Sequence, residues 1–277
     1  MGVDLSRPRS LFEEAESSGL DLSHVPGNTA KLRLLLDLRR LIPEEGALDV
    51  LDVGGGGKFS PFELWAPLAP FAGRLRLSGI DVAHLEPVER RARELGFPIE
   101  LTRGSALRLR ETYGPERFDV VVSTQVLEHI RDWPAALREM RDVLRPGGTL
   151  LVTCDSGDLE RPVDERARLA GKRGYARLVE AVPTLRRAGR GLLSGDWELG
   201  PTRADVGRVA RELGLEVERL AWYGLRDVKP AQAGAGAGTR LAWLALEETL
   251  EAELGREPPG ELYRLLYLRA RTPTTSP

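Results

Sequence analysis

The sequence predicts an α/β protein, a doubly wound and mostly parallel sheet with helices on both faces. Short apolar runs, Leu48–Val53, Leu75–Val82, Phe118–Thr124 and Thr149–Cys154, alternate with amphipathic stretches of helical length. The first run leads into the four glycines Gly54–Gly57, where backbone can turn tightly and leave room for a ligand against the main chain. Ser60-Pro61-Phe62-Glu63 then reads as a helix start, with Ser60 as N-cap, Pro61 at the first helical position and Glu63 closing a capping box. Strand, glycine turn and helix N-terminus in that order form the first unit of a nucleotide-binding sheet.

The elements follow in chain order. Leu11 and Phe12 are the apolar anchor of a mixed, serine-rich start. After Gly27-Asn28-Thr29, the stripe Leu32, Leu35, Leu36, Ile42 predicts an amphipathic helix that Pro43 ends. It precedes the first strand, so it covers a sheet face or the ligand. A helix from Pro61 carries Phe62, Leu64, Trp65, Leu68 and Phe71. A second helix spans 84–96, and Ile99–Thr102 is a short third strand. Phe118–Thr124 is the most strand-like run and is expected at the sheet's centre. Asp132 caps a helix over 133–145, and Pro146-Gly147-Gly148 turns the chain into the strand Thr149–Cys154. From Asp155 to Gly200 the rhythm breaks, and this arginine-rich stretch is expected to be a helical cap inserted over the sheet edge. Thr202 caps a helix to 213, Leu215–Tyr223 is a sixth strand, 231–238 is a flexible connection, and a helix over 240–254 precedes a last strand, Leu262–Ala270.

Composition narrows the function. With 277 residues the chain suits one large domain with an elaboration, and its formal net charge of −2 calls for neither nucleic acid nor an anionic membrane. The single cysteine, Cys154, lies in an apolar run, so neither an internal disulfide nor a cysteine-built metal site can form. The three histidines, His24, His84 and His129, have no ligand spacing, and no metal is expected. The first ten residues lack the apolar core of a secretory signal, no run is long enough to span a membrane, and the cytoplasm is the expected compartment. Gly2 and Ser6 match the short N-myristoylation pattern and nothing else supports it.

Ligands of open α/β sheets bind beyond the carboxyl ends of the strands. Here those ends carry Gly54–Gly57, Asp81, Gly104-Ser105-Ala106, Thr124–His129 and Asp155–Asp158. Asp81 ends strand two, placed to accept hydrogen bonds from two ribose hydroxyls or, alternatively, to cap the segment starting at Ala83. A dinucleotide site is disfavoured, because Phe59 stands where that fingerprint wants a small residue. A ligand with one nucleoside and no phosphate suits the turn better.

Taken together, V-L-D-V-G-G-G-G, G-I-D, G-S-A, F-D-V-V-V-S-T-Q-V-L-E-H-I and L-R-P-G-G-T-L-L-V-T, over Val50 to Thr153, closely resemble the class I S-adenosylmethionine-dependent methyltransferases of small-molecule type. The resemblance implies a Rossmann-like sheet of seven strands, the last antiparallel, with residues 46–277 as the methyltransferase domain and 1–45 as an N-terminal helical extension. It implies S-adenosyl-L-methionine as cofactor, with the Gly54-Gly55-Gly56 turn approaching the methionine moiety and Asp52 supporting it. Asp81, with Val82 beside it, would bind the ribose, Ser105 and Ala106 would flank the adenine, and Thr124 and Gln125 would border the cofactor. The chain departs from the family at Lys58, often glycine, and at Ser105, often aspartate; both bear on cofactor affinity.

Methyl transfer from a sulfonium is helped most by positioning, and by a base where the acceptor must lose a proton. His129 has the right residue type and location for that base; the alternative is that Glu128 and His129 order the loop after strand four. No Asn-Pro-Pro-aromatic run follows that strand, which speaks against methylation of amino groups in DNA or of protein glutamine. The expected activity is methyl transfer to oxygen, nitrogen or carbon of a small molecule. A non-catalytic cofactor-binding scaffold and an RNA methyltransferase are the competing readings. For the last, the 161–190 segment carries arginines but a single aromatic, Tyr175.

Overall fold

The structure is a computed structural model and describes residues 10–24, 27–55, 64–83, 85–159, 200–225, 237–253 and 260–274. Seven strands form one sheet: β1 (Leu48–Val53), β2 (Leu75–Asp81), β3 (Ile99–Arg103), β4 (Phe118–Thr124), β5 (Leu144–Asp155), β6 (Glu216–Leu225) and β7 (Tyr263–Arg271). Their order is β3-β2-β1-β4-β5-β7-β6. β1 to β5 are mutually parallel, whereas β7 runs antiparallel to both β5 and β6. The helices are α1 (Leu11–Ser17), α2 (Thr29–Leu41), α3 (Leu85–Glu94), α4 (Leu109–Tyr113), α5 (Trp133–Asp142), α6 (Arg203–Glu212) and α7 (Ala237–Glu253). This is the doubly wound fold with an antiparallel final strand that the sequence implied.

Alternate residues of the central strands feed two cores. Val50, Val120, Val122, Leu151, Leu265 and Tyr267 pack with α2 and Trp65 on one face. Leu51, Val121, Leu150, Val152 and Leu266 pack with α5 and α6 on the other. Helix α2 therefore answers the question left by its place in the sequence: it covers a sheet face. Leu32, Leu34, Leu35, Leu36 and Leu38 are buried, and a fully buried leucine contributes roughly 1.5–3 kcal/mol. Asp37 carries a carboxylate into that interface, and it is paired. Tyr267 donates its hydroxyl to Asp37 Oδ2 at 2.7 Å, and Arg269 lies 3.3 Å from Oδ1. Two glutamates of α7 secure the helix starts. Glu247 accepts from the Thr29 amide (3.3 Å) and from the Leu225 amide (2.9 Å), and Glu248 accepts from the amides of Leu11 and Phe12.

Several boundaries differ from expectation for local reasons. The capping-box stretch at residues 60–63 lies outside the described residues. Downstream, Ala66–Arg74 is a 3₁₀ segment rather than an α-helix. It contains Pro67 and Pro70, which lack the amide an α-helix would use and crowd the preceding turn. Pro146-Gly147-Gly148 is not a turn before β5 but a bulge within it, between the pairs Phe118–Leu144 and Val120–Thr149. Gly147 has φ +74° there. Ala237 and Gly238 begin α7 instead of belonging to the preceding connection, whose residues 231–236 lie outside the described residues. The expected cap falls mostly outside as well, at residues 160–199. Its two roots are adjacent: Gly157 N–H donates to Pro201 O at 3.0 Å, and Arg203 N–H to Asp158 Oδ2 at 2.8 Å. The insertion thus leaves and rejoins the fold at one point, beside the carboxyl end of β5.

At the opposite, amino-terminal edge, Asp49 of β1 is buried and clamped. Arg76 donates to both its oxygens at 2.6 and 2.8 Å, and an Arg145 nitrogen lies 2.9 Å from Oδ2. The bonds from Arg76 foremost hold the carboxyl down at about 2, against an ordinary 3.8. A carboxylate with a depressed folded pKa contributes stability above its unfolded pKa and loses it as pH falls through the folded one. Asp49→Asn should therefore cost about 1.5–3 kcal/mol at pH 7, the range for hydrogen bonds to charged groups. The cost should fade between pH 4 and pH 2, as urea unfolding of both proteins across that range would show.

Candidate active site at the carboxyl ends of the strands

The carboxyl edge is built by backbone bonds between neighbouring strand ends. Gly54 N–H donates to Ile80 O (2.8 Å), Gly104 N–H to Asp81 O (3.0 Å) and Gln125 N–H to Thr153 O (2.7 Å). Ser123 Oγ donates to Val53 O at 3.2 Å. These bonds bring the turns after β1, β2, β3, β4 and β5 into one row. Gly54 has φ +81°, and a Cβ there would lie 2.3 Å from Val126 Cγ2; one on Gly55 would lie 2.0 Å from Asp52 Oδ2. Only glycine fits either position, so the main chain after β1 passes directly over a carboxylate. Gly56, Gly57 and Lys58 lie outside the described residues.

The other sequence-chosen residues are arranged as follows. Asp81 is partly buried and accepts the Ala83 amide at 3.0 Å, which fixes its direction; the capping role weighed from sequence is thus present alongside any ligand role. Val82 beside it is exposed. Ser105 Oγ accepts the Leu107 amide at 3.2 Å, and Ala106 packs against the second core. Thr124 and Gln125 are partly buried, and Gln125 holds φ +55°, an uncommon conformation for a non-glycine residue. Its side-chain amide reaches Asp155 Oδ1 at 3.5 Å. His129 ends the 3₁₀ turn Leu127–His129 and is exposed, whereas its neighbour Glu128 is 3% exposed.

Three buried polar atoms at this edge have no hydrogen-bond partner among the described residues: Asp52 Oδ1, Thr153 Oγ1 and Glu128 Oε2. An unsatisfied buried group costs about 1–3 kcal/mol, so such atoms mark places built for something other than stability. Asp52 Oδ2 takes the indole N–H of Trp65 at 2.6 Å. Burial pushes the Asp52 carboxyl up to about 6; the Asp81 charge adds to this, while Trp65 and the Lys31 cation oppose it. Burial pushes Glu128 further, to about 8, with the Asp155 charge acting the same way and Lys31 again opposing. Lys31 stands in the first turn of α2, so that helix directs its amino-terminal end at this edge. Trp65, Lys31, Thr153 and Asp155 were not chosen from sequence as site residues. Strand parity could have found two of them, since Thr124, Thr153 and Asp155 share the α2-covered face with Asp52.

The residues fit the nucleoside and methionine parts of S-adenosylmethionine. The main chain at Gly54 and Gly55 passes beside Asp52, whose Oδ1 is unpartnered, and Asp81 stands at the end of β2. Among the described residues no group of three or more histidine, cysteine or carboxylate side chains could hold a metal ion.

Residues 51–152 match the family model described as a methyltransferase domain. A ubiquinone biosynthesis O-methyltransferase of Methylobacterium nodulans is 36% identical over 114 residues, 40% of this chain and 42% of that protein. The chain thus aligns with less than half the length of this curated relative. Among solved structures, a proposed methyltransferase from Bacillus halodurans superimposes with a TM-score of 0.52 at 18% identity, over 87% of this chain and 99% of the other. The [4+2]-cyclase SpnF does so with a TM-score of 0.52 at 20% identity, over 88% and 82%. Likeness at such identity speaks for the fold alone. Residues 51–152, a little over a third of the chain, thus match a methyltransferase domain.

Proposed function

We propose that the chain is an enzyme transferring a methyl group from S-adenosyl-L-methionine to a small-molecule acceptor. The observation that carries this reading is the turn after β1, where Gly54 and Gly55 pass over the buried, half-satisfied Asp52 with Asp81 at the next strand end. When bound there, the cofactor supplies an electrophilic methyl group on a sulfonium. The chain's own part is to hold the methionine end at Gly54–Gly56, the ribose at Asp81, and the adenine between Ser105 and Ala106. Thr124 and Gln125 would close the side toward the acceptor. Oxygen is the favoured acceptor atom, since the curated relative is named an O-methyltransferase. His129 is the proposed catalytic residue on residue type and location, and its exposure leaves it free to meet an incoming acceptor. A cytoplasmic setting, with no nucleic-acid partner, belongs to the same reading. The second reading is a site that binds the cofactor without turnover.

We further propose that residues 155–200 cap the acceptor, residues 1–45 being an extension of the domain at 46–277. Both roots of the cap stand beside β5, next to Asp155.

Two experiments test these assignments. Titration calorimetry should find S-adenosylmethionine binding without added divalent metal. Asp81→Ala should weaken it by about 1.5–3 kcal/mol, or roughly 10- to 150-fold. Unchanged affinity in that variant would remove Asp81 from the site. For the cap, residues 163–196 can be replaced by a short Gly-Ser linker, because the roots are adjacent. Cofactor affinity should then stay within a few-fold, and labelled methyl transfer to metabolite extracts should be lost; transfer at the parent's rate would contradict the cap.

A further inference from the structure

We infer that Arg264 forms a subsite for an anionic oxygen group, a carboxylate or a phosphate, on the small molecule held at the β5–β7–β6 end of the carboxyl edge. The inference deepens the methyl-transfer reading, in which that molecule is the acceptor. Arg264 is the second residue of β7, and the strand register sets it between two strand ends. Leu265 pairs with Asp155 of β5, and Tyr263 pairs with Leu225 of β6. The Ser156 amide donates to Arg264 O at 2.6 Å, which fixes the backbone at this place. Asp81 ends β2, on the other side of β1 and β4 in the sheet order, so the subsite is separate from the ribose position.

The side chain is partly buried and its donors are only partly used. Nε donates to Leu225 O at 3.4 Å. Neither Nη1 nor Nη2 has a hydrogen-bond partner among the described residues, and neither is sealed from solvent. Gly224, at φ +73°, leaves that flank uncovered, since a Cβ there would stand 3.7 Å from Nη2. The N–H groups of the two Nη atoms are thus left over, in the planar fork that matches two oxygens of a carboxylate or phosphate.

The charged groups facing Arg264 are Glu247 of α7 and Asp155 of β5. Among the described residues neither forms an ion pair with it within 4.0 Å. Both are engaged elsewhere: Glu247 accepts from the Thr29 and Leu225 amides, and Asp155 from the Gln125 side chain. Burial pulls the guanidinium below its ordinary value, and the two carboxylates oppose this without overcoming it. Elsewhere in the sheet arginines meet carboxylates directly, Arg76 on Asp49, Arg145 on Asp119 and Arg269 on Asp37. Arg264 is desolvated without such a partner, which costs stability and marks a group kept for a ligand.

The first test is direct binding to the full chain saturated with S-adenosylhomocysteine, near neutral pH. Benzoate and phenyl phosphate are the anionic probes, and benzamide is the uncharged control. Shifts of the Ser156, Gly224 and Leu225 backbone amide resonances report binding in parent and variants alike. At least one anion should bind about tenfold or more tightly than benzamide, and the tighter of the two tells carboxylate from phosphate. Arg264→Gln should weaken that anion by roughly 10- to 150-fold. Arg264→Lys, which keeps the cation without the fork and guards against a variant that fails to fold, should weaken it by about three- to tenfold. Affinity for S-adenosylhomocysteine should stay within about threefold in both variants.

The second test splits a metabolite extract on an anion exchanger before labelled methyl transfer. Transfer by the parent should follow the retained fraction. Arg264→Gln should raise the apparent KM for that fraction by about tenfold or more while changing kcat less, the mark of lost acceptor binding. Anions that bind no better than benzamide, or anion affinity unchanged in both variants, would overturn the inference. So would transfer confined to the unretained fraction, or lost S-adenosylhomocysteine affinity in Arg264→Gln, which would put the guanidinium on the cofactor instead. A parent that binds the anions and has no affinity for the cofactor, or no transfer with either fraction, would overturn the methyl-transfer reading and leave the subsite standing.

Discussion

A parallel sheet covered on both faces can hold ionised groups only at its two edges, unless they are paired in the interior. Among the described residues, Asp37 in the interface of α2 is bonded to Tyr267 and Arg269, and the buried carboxylates of the central strands, Asp49 and Asp52, lie at the edges. What they meet there differs. Asp49 and Asp52 are three residues apart in one strand, and both are buried. Asp49, at the amino-terminal edge, meets Arg76 and Arg145 and is held at about 2. Asp52, at the carboxyl edge, meets an indole and another carboxylate and is raised to about 6. One edge is electrostatically closed and serves stability. The other is left unsatisfied, as functional sites commonly are.

Helix α2 links the two roles. Its buried leucines and the Asp37–Tyr267 bond seat it against the sheet, and Glu247 of α7 receives the Thr29 amide at its start. That seating directs Lys31 toward Asp52 and Glu128, where it opposes the rise of both carboxyls. A helix that precedes the first strand in sequence thus becomes one wall of the site. The antiparallel β7 supplies its anchor, so the carboxyl-terminal strand and the amino-terminal helix are mutually dependent.

Much of this was legible in the sequence, and the rest was illegible for physical reasons. β1 and β4 run over the residues expected, because strands buried on both faces announce themselves as short apolar runs. Thr202 and Asp132 cap α6 and α5 as their side chains suggested. The Pro-Gly-Gly segment was misplaced, since the same residues that make a turn can make a bulge when the partner strand continues on both sides. Helix α1 was read only as two apolar anchors, being a short helix held by a capping box and by Glu248 from a distant segment. Within the site, the glycine turn and Asp81 could be read because local backbone demands show in residue type. The protonation states of Asp52 and Glu128 could not, because they depend on burial and on Lys31, Asp81 and Asp155, which only the fold brings near. Asp49 and Asp52 look alike in the sequence L-D-V-L-D-V and are opposites in the structure.

The central claim is that the carboxyl edge is a ligand site completed by S-adenosylmethionine, while the amino-terminal edge is closed. Side-chain ¹³C carboxyl titrations of Asp49, Asp52 and Glu128 by NMR, with and without S-adenosylhomocysteine, test it most directly. The account predicts that Asp49 titrates near 2 in both states. Asp52 and Glu128 should titrate near 6 and near 8 in the free chain, and both should move when the ligand binds. Asp52 and Glu128 titrating like ordinary exposed carboxylates, about 4, and unmoved by the ligand would contradict it.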